Sequence, residues 1–255
     1  MQSVLAPAYV VYTRKLLSQI SQGPIPKHIG IILDGNRRYA AFKGIDYATA
    51  YEQGAKKLEE VLEWCWDLDI KVVSVWVFST ENFNRSKEQV ELIMKMAKEK
   101  MRKIREDRKT HERRVKVIVS GARELLPSEL IEEIELTEKA TANYDQRILN
   151  ILLAYGGRRE ITDAVRNIAR HVKKGELNPE EISEEIIAKN LYTAGLPDPD
   201  LIIRTSGQER LSGFLMWQSA YSEFYFAEVF WPLFRKIDLL RAIRTYQQRT
   251  RNFGA

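Results

Sequence analysis

The chain has few of the residues that build metal cages and covalent catalysts. Cys65 is its single cysteine, and the three histidines, His28, His111 and His171, are scattered outside any motif. A lone cysteine excludes a disulfide framework and a multi-cysteine zinc site, so a reduced, cytoplasmic setting is the expectation. The scattered histidines argue against histidine catalysis and histidine-bound metal. No apolar run approaches the roughly 20 residues that span a bilayer. The N-terminus lacks the charged, apolar, small-residue order of a secretory signal. Neither G-x-x-x-x-G-K-[ST] nor G-x-G-x-x-G occurs, which removes P-loop nucleotide chemistry and the dinucleotide fingerprint.

The 255 residues are 44% hydrophobic and 29% charged, enough for one α/β domain with a substantial core. Neither a linker nor an internal repeat interrupts the chain, so residues 1–255 read as a single domain. The formal charge of +5 points to anionic partners: nucleic acid, diphosphates or a membrane surface. The basic excess gathers after Phe234, in Arg235, Lys236, Arg241, Arg244, Arg249 and Arg251 against Asp238. A solvated helix face would explain that run equally well, so charge alone does not choose.

The order of elements is more informative. Val10–Ser21 reads as a helix stopped by Gly23-Pro24-Ile25-Pro26, making residues 1–26 a helical extension. His28–Leu33 is an apolar run suited to a strand buried on both faces. It gives way to Asp34-Gly35-Asn36-Arg37-Arg38. A helix over Tyr47–Asp67 and a β-branched strand over Lys71–Phe78 follow. Ser86 then opens a long helix, with Gln89 placed as in a capping box. Its apolar stripe is Val90, Ile93, Met94, Ala97, Met101 and Ile104. Further strands are expected at Val115–Val119, Arg147–Ala154, Leu201–Arg204 and around Phe224–Phe226. Helices are expected from Pro127-Ser128 to Asn143, twice before Pro197, and from Arg235. Strands alternating with helices predict a central, parallel, six-stranded sheet flanked by helices.

In such a sheet ligands bind outside the carboxyl ends of the strands. Here those ends carry Asp34, Asn36, Arg37 and Arg38, then Ser79, Glu81, Asn82 and Arg85. Gly156-Gly157-Arg158 follows, and last Arg204-Thr205-Ser206-Gly207 with Arg210 and Ser212. Arginine forks match phosphate oxygens, and glycines let the backbone approach a ligand. Carboxylates among so many phosphate binders imply an intervening cation, and Mg2+ is held by one or two carboxylates plus substrate phosphates. Surface ion pairs would explain any one cluster as well as a phosphate site does, but not all four together.

These residues resemble a known family. Ile31-Ile32-Leu33-Asp34-Gly35-Asn36-Arg37-Arg38-Tyr39-Ala40 is similar to the opening motif of the cis-prenyltransferases, the undecaprenyl and dehydrodolichyl diphosphate synthases. Phe78–Arg85 resembles their second motif and Tyr155–Arg158 their third. Asp200–Gln218, continuing through Ala220-Tyr221-Ser222-Glu223, resembles the last. The Arg-Leu-Ser-Gly-Phe wording and the leading helix are most similar to archaeal members. No D-D-x-x-D pair of the all-helical trans-type synthases is present.

The resemblance implies an enzyme that adds isopentenyl diphosphate units to an allylic diphosphate, geranylgeranyl or else farnesyl diphosphate. The product would be a long polyprenyl diphosphate, precursor of a glycosyl carrier lipid. It implies that Asp34 binds Mg2+, with Glu223 completing the metal site, and that Asp34 and Asn82 are catalytic. Gly35, Asn36, Arg37, Arg38 and Tyr39 would surround the allylic diphosphate. Ser79, Glu81, Asn82, Phe83 and Arg85 would position the reacting ends. Arg204, Arg210 and Ser212 would hold isopentenyl diphosphate. It also implies a homodimer, with Arg251-Asn252-Phe253-Gly254 reaching the partner's site. A hydrophobic tunnel would open at the strand ends, walled by Val75, Val77 and the Val90-to-Met101 stripe. A lipid product further suggests peripheral contact with a membrane.

The sequence departs from the family's wording at Leu33 and Tyr39, where Met and Trp are usual. Tyr47 and Tyr51 stand where bacterial members carry Arg and His, and phenols cannot replace those cations. Arg37, often glycine in bacteria, is the expected substitute. Two rivals bear on these expectations. A non-catalytic partner subunit would usually lack the first-motif Asp, which is present as Asp34. A nucleic-acid-binding protein would interleave basic residues with exposed aromatics on one face, whereas here arginines sit beside carboxylates at strand ends.

Overall fold

The computed structural model describes the backbone of residues 2–249 and the side chains of residues 9–249. Arg251-Asn252-Phe253-Gly254 lie outside the described residues.

Six strands form one parallel sheet: β1 (His28–Ile32), β2 (Val72–Ser79), β3 (Val115–Ser120), β4 (Arg147–Tyr155), β5 (Leu201–Arg204) and β6 (Glu223–Phe226). Their order is β3-β4-β2-β1-β5-β6. β1 is buried along its whole length, as its unbroken apolar run predicts. Nine helices among the described residues connect and flank the strands: α1 (Gln2–Ile20), α2 (Asn36–Lys43), α3 (Tyr47–Asp67), α4 (Lys87–Glu106), α5 (Arg108–Glu112), α6 (Ser128–Thr141), α7 (Gly157–Lys173), α8 (Glu184–Asn190) and α9 (Lys236–Gln248).

The contacts divide the chain into two compact units. The first holds residues up to Val75, Pro199–Arg210 and the chain from Tyr221 onward. It contains α1, β1, α2, α3, β5, β6 and α9. Parallel pairing sets Ile29 opposite Leu201 and Ile32 opposite Arg204, then Leu201 opposite Glu223. The Asp200 carboxylate pins the entry to β1 by accepting from the N–H groups of Lys27 (2.7 Å) and His28 (3.1 Å). Trp231, fully buried, donates from its indole to Gly54 of α3 at 2.8 Å.

The second unit holds Trp76–Asp198 and Leu211–Ala220. β3 and β4 pair in register from Val115 with Arg147 to Ser120 with Leu152. α4 lies against α6, and Thr137 donates to the Met101 carbonyl at 3.2 Å. Ile93, Met94 and Met101 of the predicted stripe are buried, whereas Val90 and Ala97 are half-buried.

Some boundaries differ from expectation. α1 begins eight residues earlier than Val10. α2 was not expected, because its entry reads as a loop: Gly35 stands before it at φ 109°, with no capping side chain. Ser86 caps α4 by accepting from the Gln89 N–H at 3.4 Å. Among the described residues the Gln89 Oε1 is buried without a hydrogen-bond partner, so the reciprocal half of the capping box is not formed.

Candidate active site

In the first unit the site is built at the ends of β1 and β5. The register that sets Arg204 opposite Ile32 brings its guanidinium to Asp34, two residues on. Arg204 Nη2 lies 2.8 Å from Asp34 Oδ2. One turn into α2, Arg38 Nη2 meets Asp34 Oδ1 at 2.7 Å. The carboxylate thus has one guanidinium on each oxygen. Arg204 is nearly fully buried, whereas the Asp34 side chain is 24% exposed and that of Arg38 44% exposed. Arg204 Nη1 also donates to the Arg210 carbonyl, fixing the bend that carries the exposed Arg210 side chain.

The backbone around Asp34 is held just as closely. Thr205 Oγ1 donates to the Asp34 carbonyl at 2.6 Å, and the Trp231 N–H does so at 3.1 Å. Gly35 takes a left-handed φ of 109°, and a Cβ there would lie 3.1 Å from Phe230 and Ser206. Any side chain would therefore be strained and crowded. Gly54 leaves room for Asn36: a Cβ at Gly54 would fall 2.3 Å from Asn36 Oδ1. Asn36 Nδ2 donates to the Leu33 carbonyl at 3.1 Å. Among the described residues, Asn36 Oδ1 and Ser206 Oγ are buried without a hydrogen-bond partner. Ser206 is also left-handed, at φ 77°, a conformation that costs a non-glycine residue energy and concentrates at functional sites.

The other residues proposed for this unit stand in different settings. Arg37 is exposed, and its guanidinium lies 5.7 Å from the centre of the Tyr47 ring. Tyr47 and Tyr51 have ring centres 6.4 Å apart. Tyr39 is buried with Ala40 and Ala50 where α2 meets α3, and donates to Gln53 Oε1 at 2.7 Å. Its ring is part of the support beneath the first motif. Glu223 pairs with Arg249 at 2.7 Å.

In the second unit the end of β2 turns directly into a 3-10 helix, Thr80–Asn84. Ser79 and Asn82 form a reciprocal cap, in which the Ser79 N–H donates to Asn82 Oδ1 at 3.2 Å. This leaves the amide NH2 of Asn82 for other partners. Glu81 is exposed and Arg85 half-buried. Phe83 packs edge-on against Phe78, with ring centres 4.9 Å apart. The third motif is tied to the segment that carries Ser212: the Gly157 N–H donates to the Gly213 carbonyl at 2.7 Å. Ser212 itself is exposed, at φ 53°.

Sequence reasoning missed Glu160. It is fully buried in the first turn of α7. Its carboxyl accepts from the Tyr155 hydroxyl at 2.5 Å, from Gln218 Nε2 at 3.1 and 3.2 Å, and from the Tyr192 N–H at 3.1 Å. Burial pushes its carboxyl above the ordinary range, even against those hydrogen bonds. Trp231 was missed as well, and Thr205, though within a strand-end cluster, was given no role of its own, because both act on the main chain of Asp34. The trace available in the sequence was position: Thr205 and Glu160 sit inside or beside motifs already singled out.

An all-parallel α/β sheet with arginines, a carboxylate and strained turns at its strand ends has the make-up of an α/β protein that binds anionic ligands. Comparison with known proteins narrows the class. Residues 32–254 match the family described as "Putative undecaprenyl diphosphate synthase". The chain is 51% identical to the tritrans,polycis-undecaprenyl-diphosphate synthase (geranylgeranyl-diphosphate specific) of Methanopyrus kandleri, over 98% of this chain and 92% of that one. It is 51% identical to an isoprenyl transferase of Thermus thermophilus, over 97% and 96%. Among solved structures, lavandulyl diphosphate synthase from Lavandula x intermedia, in complex with dimethylallyl diphosphate, superposes with a TM-score of 0.87. That match is 33% identical and covers 91% of this chain and 99% of that one. The chain belongs to the undecaprenyl diphosphate synthase family. It is a prenyltransferase, and its activity is cis-prenyl chain elongation.

Proposed function

We propose that the enzyme adds isopentenyl diphosphate units to geranylgeranyl diphosphate, with farnesyl diphosphate as second choice, and that it requires Mg2+. The observation that carries this reading is the Asp34 centre. One part-exposed carboxylate is shared by Arg38 and Arg204, beside two buried polar atoms, Asn36 Oδ1 and Ser206 Oγ, that lack hydrogen-bond partners among the described residues. The printed specificity of the M. kandleri relative supports the starter.

The residues suit the metal. Among the described residues no three Asp, Glu, His or Cys side chains form a closed cage, and Mg2+ takes one or two carboxylates together with substrate phosphates. Asp34 would hold it from the carboxyl ends of β1 and β5, whereas Glu223, opposite Leu201 where β5 begins and paired with Arg249, stands at the other end of these strands. When bound, the ion supplies positive charge to a departing diphosphate.

The chain's own groups do the rest. Entry of a diphosphate lets Arg38 exchange Asp34 for phosphate oxygens, and Gly35, Asn36 and Arg37 complete the allylic cradle, with Tyr39 supporting it from below. Arg204, Arg210 and Ser212 hold isopentenyl diphosphate. The Asn82 amide, with Ser79, Glu81, Phe83 and Arg85, orients the reacting ends. The allylic C1–O bond breaks and its electrons leave with diphosphate. The terminal alkene carbon of isopentenyl diphosphate bonds to C1, and a proton leaves C2. Guanidinium groups directed at the leaving oxygens favour the transition state, where charge grows. Holding both diphosphates makes the step effectively unimolecular.

The growing hydrocarbon lies in a tunnel walled by Val77 and the α4 stripe. The protein works as a homodimer in the cytoplasm, in peripheral contact with a membrane. Purified protein incubated with labelled isopentenyl diphosphate and each starter tests this reading. Long products are expected only with Mg2+, and faster from geranylgeranyl diphosphate. No incorporation by folded protein from either starter would overturn the reading and favour a non-catalytic partner subunit.

A further inference from the structure

α1 precedes the residues that match the family pattern, and its surface has an unusual make-up. The first acidic residue of the whole chain is Asp34, whereas Arg14, Lys15 and Lys27 come before it. The inner face of α1 is settled: Leu16 and Ile20 are fully buried, and α1 packs along α9. There Arg241 lies over the Tyr12 ring at 5.2 Å. At 100° per residue, Val10, Arg14 and Ser18 form one row of the outer face, and Val11 and Lys15 the next. All five are exposed, and Val10 and Val11 are exposed to 46% and 66%. Two adjacent aliphatic side chains therefore stand in water beside two cations, with no carboxylate anywhere on the helix. α9 behind it adds Arg235, Arg241 and Arg244, while Asp238 is engaged by Arg235 at 3.0 Å and Arg241 at 3.6 Å.

We propose that the outer face of α1 is a docking surface for an anionic lipid bilayer. Val10 and Val11 enter the headgroup boundary, and Arg14 and Lys15 meet lipid phosphates. The chemistry selects this occupant over the alternatives. Basic residues alone would suit nucleic acid, but exposed valines gain nothing from a phosphate backbone and lose their hydration cost in a lipid interface. No described helix is long and apolar enough to cross a membrane, so α1 lies on the surface. The inference rests on the peripheral contact proposed above and names the face that makes it. Elongation on this surface would deliver a long hydrocarbon product where it dissolves.

The test is co-sedimentation of the full chain with vesicles of phosphatidylcholine alone or mixed with phosphatidylglycerol. Wild type should bind the mixed vesicles strongly and the neutral ones weakly, and salt should weaken binding. Arg14→Glu with Lys15→Glu should lower binding by at least about fivefold per residue. Val10→Ser with Val11→Ser should lower it on both kinds of vesicle. Thermal melting of each variant should match wild type. Incorporation of isopentenyl diphosphate in detergent should be unchanged, which separates failure of this inference from failure of the proposed reaction. Equal binding by variants and wild type, or no binding by wild type, would overturn it. So would a change in oligomeric mass caused by the same substitutions, which would assign the face to a second copy of the chain.

Discussion

Two carboxylates, Asp34 just after β1 and Glu160 just after β4, follow strand ends, yet their surroundings are opposite. Asp34 is part-exposed and its partners are charged: Arg38 on one oxygen and Arg204 on the other. Glu160 is fully buried and its partners are neutral: a tyrosine hydroxyl, a glutamine amide and a backbone N–H. Ion pairs open to solvent are weak and exchangeable. A buried carboxyl with every donor directed at it is neither. On the proposed function Asp34 changes partners when a diphosphate arrives, whereas Glu160 stays put. Its hydrogen bonds join Tyr155, Tyr192 and Gln218, and through Gln218 they anchor the segment that carries Ser212 and Gly213.

This contrast predicts that substitutions at the two sites separate activity from stability. Asp34→Asn should have the largest effect, a fall in kcat/KM on the order of 10³-fold. Its melting temperature should fall less than that of Glu160→Ala, because the asparagine oxygen can still accept from the nearly buried Arg204. Steady-state kinetics beside thermal melting would check both halves. Glu160→Ala should reverse the pattern: it leaves several buried donors unpaired and should cost about 3 kcal/mol. The corresponding drop in melting temperature is about 6–12 °C for a chain of this size.

A smaller effect concerns pH. Burial raises the Glu160 carboxyl above its ordinary value, so the folded state binds its proton more tightly than the unfolded state. The stability tied to that proton is fully present below the unfolded value and is lost as pH rises through the folded one. Wild type should therefore lose stability relative to Glu160→Gln as pH rises above the ordinary glutamate range of about pH 4, as read by denaturant titration at each pH. Parallel curves would contradict the assignment. The smallest change is expected far from either carboxylate. Ala97 is half-buried at the centre of the α4 stripe, and Ala97→Leu should shorten the products by a few isoprene units while leaving kcat nearly unchanged. Chromatography of the chain lengths would show it.

Much of this was legible in the sequence. The parallel sheet followed from the alternation of β-branched runs with amphipathic stretches. α3 and β5 fall residue for residue where the sequence placed them; the structure shows Asp46 capping the one, and Pro197–Asp200 precedes the other. The charged residues of the Asp34 centre stand out in the sequence, since arginines and glycines recur at strand end after strand end. α2 was missed because nothing in Asp34-Gly35-Asn36 signals a helix start; the turn depends on a left-handed glycine packed against Phe230. Glu160 was missed for a different reason. An acidic residue in the first turn of a helix is ordinary on a surface, and only tertiary packing makes this one a buried hub. Thr205 and Trp231 left no side-chain pattern to read, because each grips a carbonyl.

The most direct test is calorimetric titration of a non-reactive thio-analogue of geranylgeranyl diphosphate into wild type and Asp34→Asn, with and without Mg2+. If Asp34 carries the ion that bridges to the allylic diphosphate, Mg2+ should tighten binding to wild type by at least about tenfold. Affinity for Asp34→Asn should be the same with and without the ion. An Asp34→Asn enzyme whose affinity still rises with Mg2+ as the wild type's does would contradict the assignment of the metal to Asp34.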